Sequence, residues 1–472
     1  MEDWDIELNS VLDALREQEI PFAEDMVVRI LSDLEEAERR GDDVSKIRGK
    51  TGLEVLKALV IADADFVDHS VTPEMIAEDY REGRAEKGVV PFQADMSKHL
   101  DVLKKAVQES DGTERYKAGA LSIGGTNTIL GAAAISGKGK IEVSEVARGK
   151  FENKLYETAS EFWKAVLPGD YAKILCDNVD EDGELSLGVT IAHPVVDGFL
   201  RPGKYNCLEL IDGSITVEDS LKDFISDQGI APREKINIVI SPNDTVSTLL
   251  AHFGEFDKYE GKLRCSLILG TGANVYLKGW VTEMGDYIGF KPSELDKLQP
   301  TAEGVVTIDH LVAGSKIGDT FKYAVSAMFD KDSLVSREIQ KLSKEEAAIL
   351  MFELVYNDNP KLPEGTDSFD GVFLKTLARK FVDRSAYYVV NMLKGLTMDI
   401  EEEVVLFVDG SVITKNPKFL AEINDGLKDS GVTLVFSELD VSGEGAETVL
   451  DNSSFGGTMV LAMAEKLLKK AV

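Results

Sequence analysis

The stretch SPNDTVSTLLA, residues 241–251, and the stretch LILGTGANVYL, residues 267–277, decide how this chain is interpreted. The first places the turn Asn243–Thr245 between an apolar run and a segment that is typical of a helix. The second places the glycine turn Gly270–Gly272 between two apolar strands. A carboxylate beside a loop that fits phosphate is what phosphoryl transfer to a hydroxyl group needs. Together the two stretches favour a kinase that acts on a small molecule.

Length and charge narrow the class of protein. At 472 residues the chain is long enough for two or three domains. A net charge of −32 argues against nucleic acid or an anionic membrane as partner, because both attract positive surfaces. Phosphate ligands are not excluded, since a metal ion and backbone N–H groups hold them without a basic surface. The acidic start lacks a signal-peptide pattern and the most apolar window, 118–137, contains glycine and polar residues, so we expect a soluble cytoplasmic protein.

Several kinds of site find little support in the sequence. The three cysteines are scattered without a CxxC pair, which argues against a disulfide framework and a zinc site. The acidic stretch DNVDEDGE, 177–184, is either a solvated turn, which we favour, or a metal loop. No GxxxxGK[ST] motif occurs, which excludes a P-loop kinase.

Periodicity divides the chain into helical and β-rich regions. Residues 1–110 show helical spacing, and three strands are predicted from about residue 116, in ALSIGG, NTILGAAAISG and IEVSEVARG. A helix is predicted at 152–166. The stretch RCSLILGTGANVYLKGW repeats the strand–glycine turn–strand pattern about 145 residues later, which predicts two related halves around a shared cleft. Further helices are predicted at about 318–330, 343–356 and 369–395, then a strand in VVLFVDGS (404–411) and a C-terminal helix in TMVLAMAEKLLKK.

The glycine turns at 124–126, 270–272 and 410–411 each follow an apolar strand. Glycine lets backbone N–H groups approach a phosphate, and Thr126 and Thr271 add hydroxyl donors at the same places. Each turn taken singly is also an ordinary hairpin feature. Their recurrence after apolar strands favours a role in phosphate binding.

Asp244 is the candidate general base. A sugar hydroxyl is a poor nucleophile, and a positioned carboxylate takes its proton while the phosphoryl group transfers. The alternative is that Asn243 and Asp244 only cap the helix that starts near Val246. The local sequence fits both roles equally.

The order of these motifs resembles the hexokinase family, within the actin-like ATPase superfamily. GGTN (124–127) is similar to the family's first phosphate loop, NDTVSTLLA (243–251) to its catalytic turn, LILGTGANVYL to its second phosphate loop and VDGSVITKNPKF (408–419) to its adenosine segment. Order and spacing agree from about residue 90 to the C-terminus. The resemblance implies an α/β, two-domain actin-like ATPase (ribonuclease H-like) fold, with a cleft between the domains and an N-terminal helical extension.

The resemblance also implies domains and site residues. A helical region would span 1–111, a small domain 112–241 with the C-terminal helix 446–472, and a large domain 242–445. Asp244 would be the base for phosphorylation of a hexose (glucose, mannose or fructose) at its 6-hydroxyl by ATP with Mg²⁺. The implied sugar ligands are Asn243, Asn274, Glu283, Asp309 and Lys204. The implied nucleotide-binding residues are Gly124, Gly125, Thr126, Asn127, Gly270, Thr271, Gly272, Gly410, Ser411 and Gly443, and none is implied as a metal ligand.

The sequence departs from the family pattern on the nucleotide side. Ser122 and Ile129 stand where the family has an Asp that organises the metal and an Arg that approaches the phosphates. Two stretches, SGEGA (442–446) and SSFGG (453–457), both fit the last nucleotide turn. The sequence therefore predicts an active hexokinase, with a catalytically weak or inactive sugar-binding or regulatory protein as the alternative.

Overall fold

Two six-stranded sheets form the framework of the chain. The computed structural model describes residues 67–470 except 90, 125–126, 153, 192–194, 201–205, 294–295, 297–300, 302–303, 330–333, 367 and 437–438. The strands in chain order are β1 Phe92–Gln93, β2 Arg115–Ile123, β3 Asn127–Ser136, β4 Ile141–Lys150, β5 Leu155–Tyr156, β6 Leu185–Ile191, β7 Val195–Val196, β8 Phe199–Leu200, β9 Asn206–Cys207, β10 Ile236–Ser241, β11 Leu263–Leu269, β12 Ala273–Leu277, β13 Trp280–Val281, β14 Val404–Asp409, β15 Val432–Val435 and β16 Val441–Gly443.

Helices cover both sheets and fill the long connections between strands. In chain order they are α1 Pro73–Glu82, α2 Ser97–Glu109, α3 Ala159–Val166, α4 Tyr171–Asn178, α5 Leu208–Ile211, α6 Val217–Asp227, α7 Asp244–Ala251, α8 Ile308–Val312, α9 Gly314–Met328, α10 Leu334–Lys341, α11 Lys344–Tyr356, α12 Ser368–Thr397, α13 Ser411–Thr414, α14 Pro417–Gly426, α15 Ala446–Asp451 and α16 Ser453–Lys470. Among the residues described, no helix is both long enough and apolar enough to cross a membrane.

The first sheet has the strand order β10-β6-β2-β3-β4-β16. β2, β3 and β4 form an antiparallel meander, and β6 and β10 extend it parallel to β2. β6 is buried at every residue, which fits a central strand with helices on both faces. β16 pairs with β4 just before the predicted domain boundary at 445. The domain limits themselves stay a prediction.

The second sheet has the order β1-β13-β12-β11-β14-β15. β11, β12 and β13 form an antiparallel meander, and β14 and β15 extend it parallel to β11. Both sheets therefore consist of a three-stranded meander followed by two parallel strands. This shared topology confirms the prediction of two related β-rich halves.

Helices α7 and α16 join the two halves. α16 packs on the first sheet, while α7 begins directly after β10 and packs against the second sheet and α16. Gly457 in α16 lies against the backbone of Ser247 in α7, where a Cβ atom would be 1.6 Å from the Ser247 carbonyl oxygen. Glycine at this crossing lets the two helix backbones approach closely.

The part of the N-terminal region that the structure describes packs on the second half. α1 packs against α12, and β1 adds an edge strand to the second sheet beside β13. Residues 1–110 were predicted to be mostly helical, and the strand at 92–93 was not predicted, because two residues are too few to show alternation. The helices predicted within 1–66 lie outside the described residues.

Most other elements agree with the sequence predictions. α9, α11 and α12 confirm the helices predicted at about 318–330, 343–356 and 369–395. The helix predicted at 152–166 starts later, at Ala159, because Thr158 and Glu161 form a capping box there. Several elements were not predicted, among them β6 and the helices α4, α6, α10 and α14.

Candidate functional site

A cavity of about 280 Å³ lies where the ends of β10, β11 and β12 meet. Its polar lining consists of Asn243, Asp244, Thr271, Asn274, Glu283, Asp286 and Asp309. Its apolar lining includes Phe92, Ile191 and Ile268. Five of the seven polar residues are the predicted base and four of the predicted sugar ligands, and Thr271 is a predicted nucleotide-binding residue, so segments far apart in sequence bring them to one place.

Asn243 and Asp244 occupy the start of α7. Asn243 is the N-cap, and its Oδ1 accepts hydrogen bonds from the Thr245 amide at 2.9 Å and the Thr245 hydroxyl at 2.6 Å. Asp244 is the first helical residue, where the helix dipole favours a negative charge. Both residues also line the cavity. The capping role and a cavity role are therefore compatible at this turn.

The Asp309 carboxylate lies under the glycine turn that ends β11. Its Oδ1 accepts a hydrogen bond of 2.7 Å from the Ala273 amide, and its Oδ2 pairs with Lys316 Nζ at 3.0 Å. Gly285 packs directly on this carboxylate, since a Cβ atom there would be 2.2 Å from Asp309 Oδ1. These contacts fix the carboxylate at the cavity wall.

Glu283 is held in a left-handed backbone conformation with φ of 51°. That conformation is uncommon for a non-glycine residue and is often found at functional sites. Glu283 Oε1 accepts a hydrogen bond of 3.0 Å from Asn274 Nδ2. Burial, together with the nearby Asp286, Asp244 and Asp309 carboxylates, raises the pKa of Glu283 to about 7. At neutral pH Glu283 is therefore protonated in some molecules and ionised in the others. The protonated form donates a hydrogen bond and the ionised form only accepts one.

Asp286 and Phe92 are lining residues that no sequence pattern singled out. Asp286 ends the short 3₁₀ turn after Glu283 and is exposed to solvent at the cavity. Partial loss of solvent and the nearby Asp309 carboxylate raise the pKa of Asp286. Phe92 reaches the cavity from β1, about 190 residues away from this turn in sequence. No local pattern announces either role.

Three glycines converge beside the cavity on the predicted nucleotide side. A Cβ atom on Gly270 would lie 3.3 Å from Gly410 Cα, and one on Gly410 would lie 2.5 Å from the Leu269 carbonyl. The Gly314 amide donates a 2.7 Å hydrogen bond to the Gly270 carbonyl. Gly410 has φ of 100°, which a side chain would strain. The turn at 270–272, the turn at 410–411 with Ser411 starting α13, and the start of α9 thus lie together.

The remaining predicted nucleotide residues lie in other places. Gly124 and Asn127 close the β2–β3 turn through a 2.8 Å hydrogen bond from the Gly124 amide to the Asn127 carbonyl. Gly443 lies in β16, packed against the backbone of Val143 in the first sheet. Gly125, Thr126 and Lys204 lie outside the described residues.

The two candidate last nucleotide turns differ in their contacts. The start of SSFGG approaches the 410–411 turn, because the Ser453 hydroxyl donates a 2.6 Å hydrogen bond to Asp409 Oδ2. SGEGA surrounds Gly443, which packs on the first sheet. Contact with the 410–411 turn therefore favours SSFGG over SGEGA as the last nucleotide-binding turn.

The described residues contain no group of three or more His, Cys, Asp or Glu side chains placed to hold a metal ion. In the acidic stretch 177–184, Asp180 instead forms an ion pair with Lys466 of α16. The Asp180–Lys466 pair is largely buried, while the adjacent Glu181 and Asp182 are exposed.

Comparison with known proteins agrees with this architecture. No protein-family model matches the chain. The chain is 23% identical over 400 residues to a hexokinase of Schistosoma mansoni, covering 72% of this chain and 84% of the relative. The solved structure of a Schistosoma mansoni hexokinase with glucose matches with a TM-score of 0.52 and 16% identity, covering 83% of this chain and all of that chain. Another hexokinase structure matches with a TM-score of 0.60 and 16% identity, covering 88% and 99% of the two chains.

The two repeated sheets therefore form an α/β, actin-like ATPase fold like that of these hexokinase structures. By sequence, the chain is a distant homologue of the Schistosoma mansoni hexokinase.

Proposed function

We propose that this protein is an ATP-dependent hexokinase that phosphorylates a hexose at its 6-hydroxyl, with Asp244 as general base. The observation that carries the proposal is the meeting of Asn243, Asp244, Asn274, Glu283 and Asp309 in one cavity. Asparagine amides and carboxylates suit a sugar, because each hydroxyl group both donates and accepts a hydrogen bond. The distant homology to a hexokinase, and the solved hexokinase structure that contains glucose, support this choice of substrate.

In the proposed reaction, the sugar's 6-oxygen attacks the γ-phosphorus of ATP. Asp244 accepts the hydroxyl proton as the new oxygen–phosphorus bond forms, and the bond to the bridging β–γ oxygen breaks to release ADP. Asn274, Glu283 and Asp309 hold the other hydroxyl groups so that the 6-hydroxyl faces Asp244. The positions of these groups around the cavity are fixed by backbone contacts such as the one from the Ala273 amide to Asp309.

The converging glycines fit a polyphosphate. Gly270, Gly410 and Gly314 have no side chains, so a phosphate can approach the backbone there. Gly314 also starts a 15-residue helix, and the N-terminus of a helix favours an anion. Mg²⁺ would enter with the nucleotide, since it commonly keeps its waters and binds through substrate phosphates and few carboxylates. Its chemical contribution would be to neutralise charge on the β- and γ-phosphates.

The alternative proposal is a sugar-binding or regulatory protein with little turnover. It is favoured by Ser122 and Ile129, which face each other across β2 and β3 beside the first phosphate turn. Neither side chain carries the charge that the hexokinase resemblance implies at its position.

The test is an ADP-release assay with Mg²⁺, ATP and a panel of glucose, mannose, fructose and glucosamine, together with calorimetric sugar binding. We expect sugar-dependent turnover above about 1 s⁻¹. Asp244→Asn should lower kcat by at least about 10³-fold and change sugar Kd by less than about threefold. Asp257→Asn, at an exposed aspartate outside the cavity, is the control. Sugar binding without turnover in the unsubstituted protein would support the alternative proposal and reject the kinase.

A further inference from the structure

Two stretches of the N-terminal region, residues 79–89 and 91–94, run along the turn that carries Glu283 and Asp286. We call them the brace. The turn, Thr282–Ile288, leaves β13 and holds Glu283 in its left-handed conformation. The brace contacts this turn at two points and pairs with β13, the strand directly before the turn, at a third.

The first contact is between backbones. Gly88 has φ of 72°, and a Cβ atom there would lie 2.0 Å from the carbonyl oxygen of Asp286. Beside it, the Ile288 amide donates a 2.9 Å hydrogen bond to the Lys87 carbonyl. The Asp286 peptide therefore lies directly on the brace, in a space that any side chain at position 88 would fill.

The second contact is a hydrogen bond between Tyr287 of the turn and the buried Asp79 carboxylate of the brace. The Tyr287 hydroxyl donates a 2.9 Å hydrogen bond to Asp79 Oδ2, and Arg84 pairs with Asp79 Oδ1 at 3.1 Å. Asp79 is only 1% exposed, so loss of a partner would leave a desolvated carboxylate poorly compensated. The Tyr80 ring stacks on the Tyr287 ring at 6.3 Å. These contacts fix the side chain next to Asp286.

The third contact brings the brace into the cavity. β1 pairs with β13, with Phe92 opposite Val281, and the Ala94 amide donates a 2.8 Å hydrogen bond to the Gly279 carbonyl. This pairing places Phe92, which is only partly buried, in the cavity lining. An aromatic wall offers a large apolar surface to the C–H face of a ring-shaped ligand.

We infer that the brace is part of the ligand site, with two distinct roles. Gly88 is a positioning residue that sets where Glu283 and Asp286 lie, and Phe92 is a wall residue that contacts the ligand. That the ligand is a hexose rests on the proposed function. The position of the turn Thr282–Ile288 relative to Phe92 is supported by the three contacts described above, whatever the ligand is.

A matched pair of glycine substitutions tests the positioning role. Gly83 and Gly88 both have positive φ, but a Cβ atom at Gly83 meets nothing within 4 Å. Gly83→Ala therefore introduces backbone strain alone, whereas Gly88→Ala introduces strain and displaces Asp286. We expect Gly88→Ala to raise the glucose Kd measured by calorimetry at least about tenfold, and Gly83→Ala less than about twofold.

Kinetics separate positioning from a general loss of structure. Gly88→Ala should raise the sugar KM while kcat and the KM for ATP change by less than about threefold. Equal glucose Kd values for the two glycine variants would overturn the positioning role. If Gly88→Ala does not fold, Tyr287→Phe provides the same test, because it removes only the hydroxyl that donates to Asp79.

Phe92→Ala tests the wall role, with Trp280→Ala as control. Trp280 lies on the neighbouring strand, is 46% exposed and is not among the cavity-lining residues described. We expect Phe92→Ala to weaken glucose binding at least about fivefold and Trp280→Ala to leave it within about twofold. Unchanged binding in Phe92→Ala would overturn the wall role. Because Kd is measured without nucleotide, an absence of turnover in the unsubstituted protein would reject the kinase proposal and leave this test intact.

Discussion

Asn274 Nδ2 donates a 3.0 Å hydrogen bond to Glu283 Oε1, and this bond joins β12 to the turn Thr282–Ile288. Asn274 Oδ1 also accepts a 2.8 Å hydrogen bond from the Val275 amide, which orients the side-chain amide towards Glu283. The bond favours the ionised form of Glu283, but burial outweighs it and raises the pKa to about 7. Glu283 is therefore held where its negative charge is costly, which is typical of a functional carboxyl group.

This raised pKa predicts a stability that falls as pH rises. Between the ordinary value of 4.5 and about 7, the folded protein keeps a proton that the unfolded chain releases. The free energy of unfolding should therefore drop through that window, at a cost on the order of 2 to 3 kcal/mol once pH exceeds 7. Glu283→Gln should be more stable than the unsubstituted protein at pH 8 and nearly equal to it at pH 5.

Urea unfolding followed by circular dichroism at the two pH values measures this difference. Glu260→Gln, at an exposed site, is the control and should show the same small effect at both pH values. A stability gain in Glu283→Gln that does not depend on pH would contradict the prediction.

Arg148 lies opposite Ile129 on the neighbouring antiparallel strand. Side chains of directly opposed residues project from the same face of a sheet, so Arg148 lies beside the position where the hexokinase resemblance implies an arginine. Its guanidinium donates a 3.1 Å hydrogen bond to Thr448 Oγ1. Arg148→Ala should raise the KM for ATP about tenfold and change the sugar KM by less than about twofold.

Initial rates at varied ATP and saturating sugar measure this effect. Lys105→Ala, an exposed cation on α2, serves as control for the loss of one positive charge. If the protein turns over no sugar, calorimetric binding of MgADP replaces the rates. An ATP KM in Arg148→Ala equal to that of the control would exclude a nucleotide role for Arg148.

Local patterns predicted the parts of this structure that local interactions determine. The glycine turns after β2, β11 and β14, and the capping turn at Asn243, are visible in the sequence because the residues that form them are adjacent. The Thr158–Glu161 capping box was equally visible and would have placed the start of α3 correctly.

Long-range contacts account for what the sequence did not predict. Asn274, Glu283 and Asp309 were identified through a family resemblance, and no periodicity connects them. Phe92 reaches the cavity only through the pairing of β1 with β13, and two residues are too few to produce an alternating pattern. The role of Gly88 depends on the Asp286 carbonyl nearly 200 residues away, which no sequence window contains.

Glu283 is predicted to lower the free energy of unfolding as pH rises. His252 is predicted to lower it as pH falls. It is buried, and its ring stacks on Phe407 at 4.7 Å, so burial lowers its pKa to about 3. Below the ordinary value of 6.5 the unfolded chain binds a proton that the folded protein does not. This group alone should therefore lower the free energy of unfolding by about 2 kcal/mol between pH 7 and pH 5.

His252→Phe keeps the stacked ring and removes the titration, so its stability should fall less than that of the unsubstituted protein over this range. Urea midpoints at pH 7 and pH 5 give the comparison. His69→Phe, at an exposed position, should leave the pH dependence as it is. Parallel pH profiles for His252→Phe and the unsubstituted protein would show that His252 does not titrate differently on unfolding.

A substitution at Gly457 tests whether the proposed base, Asp244, depends on the close packing of α7 against α16. A Cβ atom at Gly457 would lie 1.6 Å from the Ser247 carbonyl oxygen, which belongs to the helix backbone and has no free rotation. Thr458 adds a 3.1 Å hydrogen bond to Ser247 Oγ at the same crossing. Gly457→Ala must therefore separate the helices and should lower the free energy of unfolding by more than about 3 kcal/mol, despite alanine's higher helix propensity.

Gly456→Ala is the matched control one residue away. Its Cβ atom would meet Val449 Cγ1 at 2.6 Å, and that atom belongs to a side chain and not to a helix backbone. Because α7 carries Asp244 at its first position, Gly457→Ala should also lower kcat at temperatures where the variant remains folded. Thermal unfolding and rates below the transition measure both effects. Equal melting temperatures for the two variants would mean that the crossing tolerates a wider spacing, and Asp244 would then not depend on it.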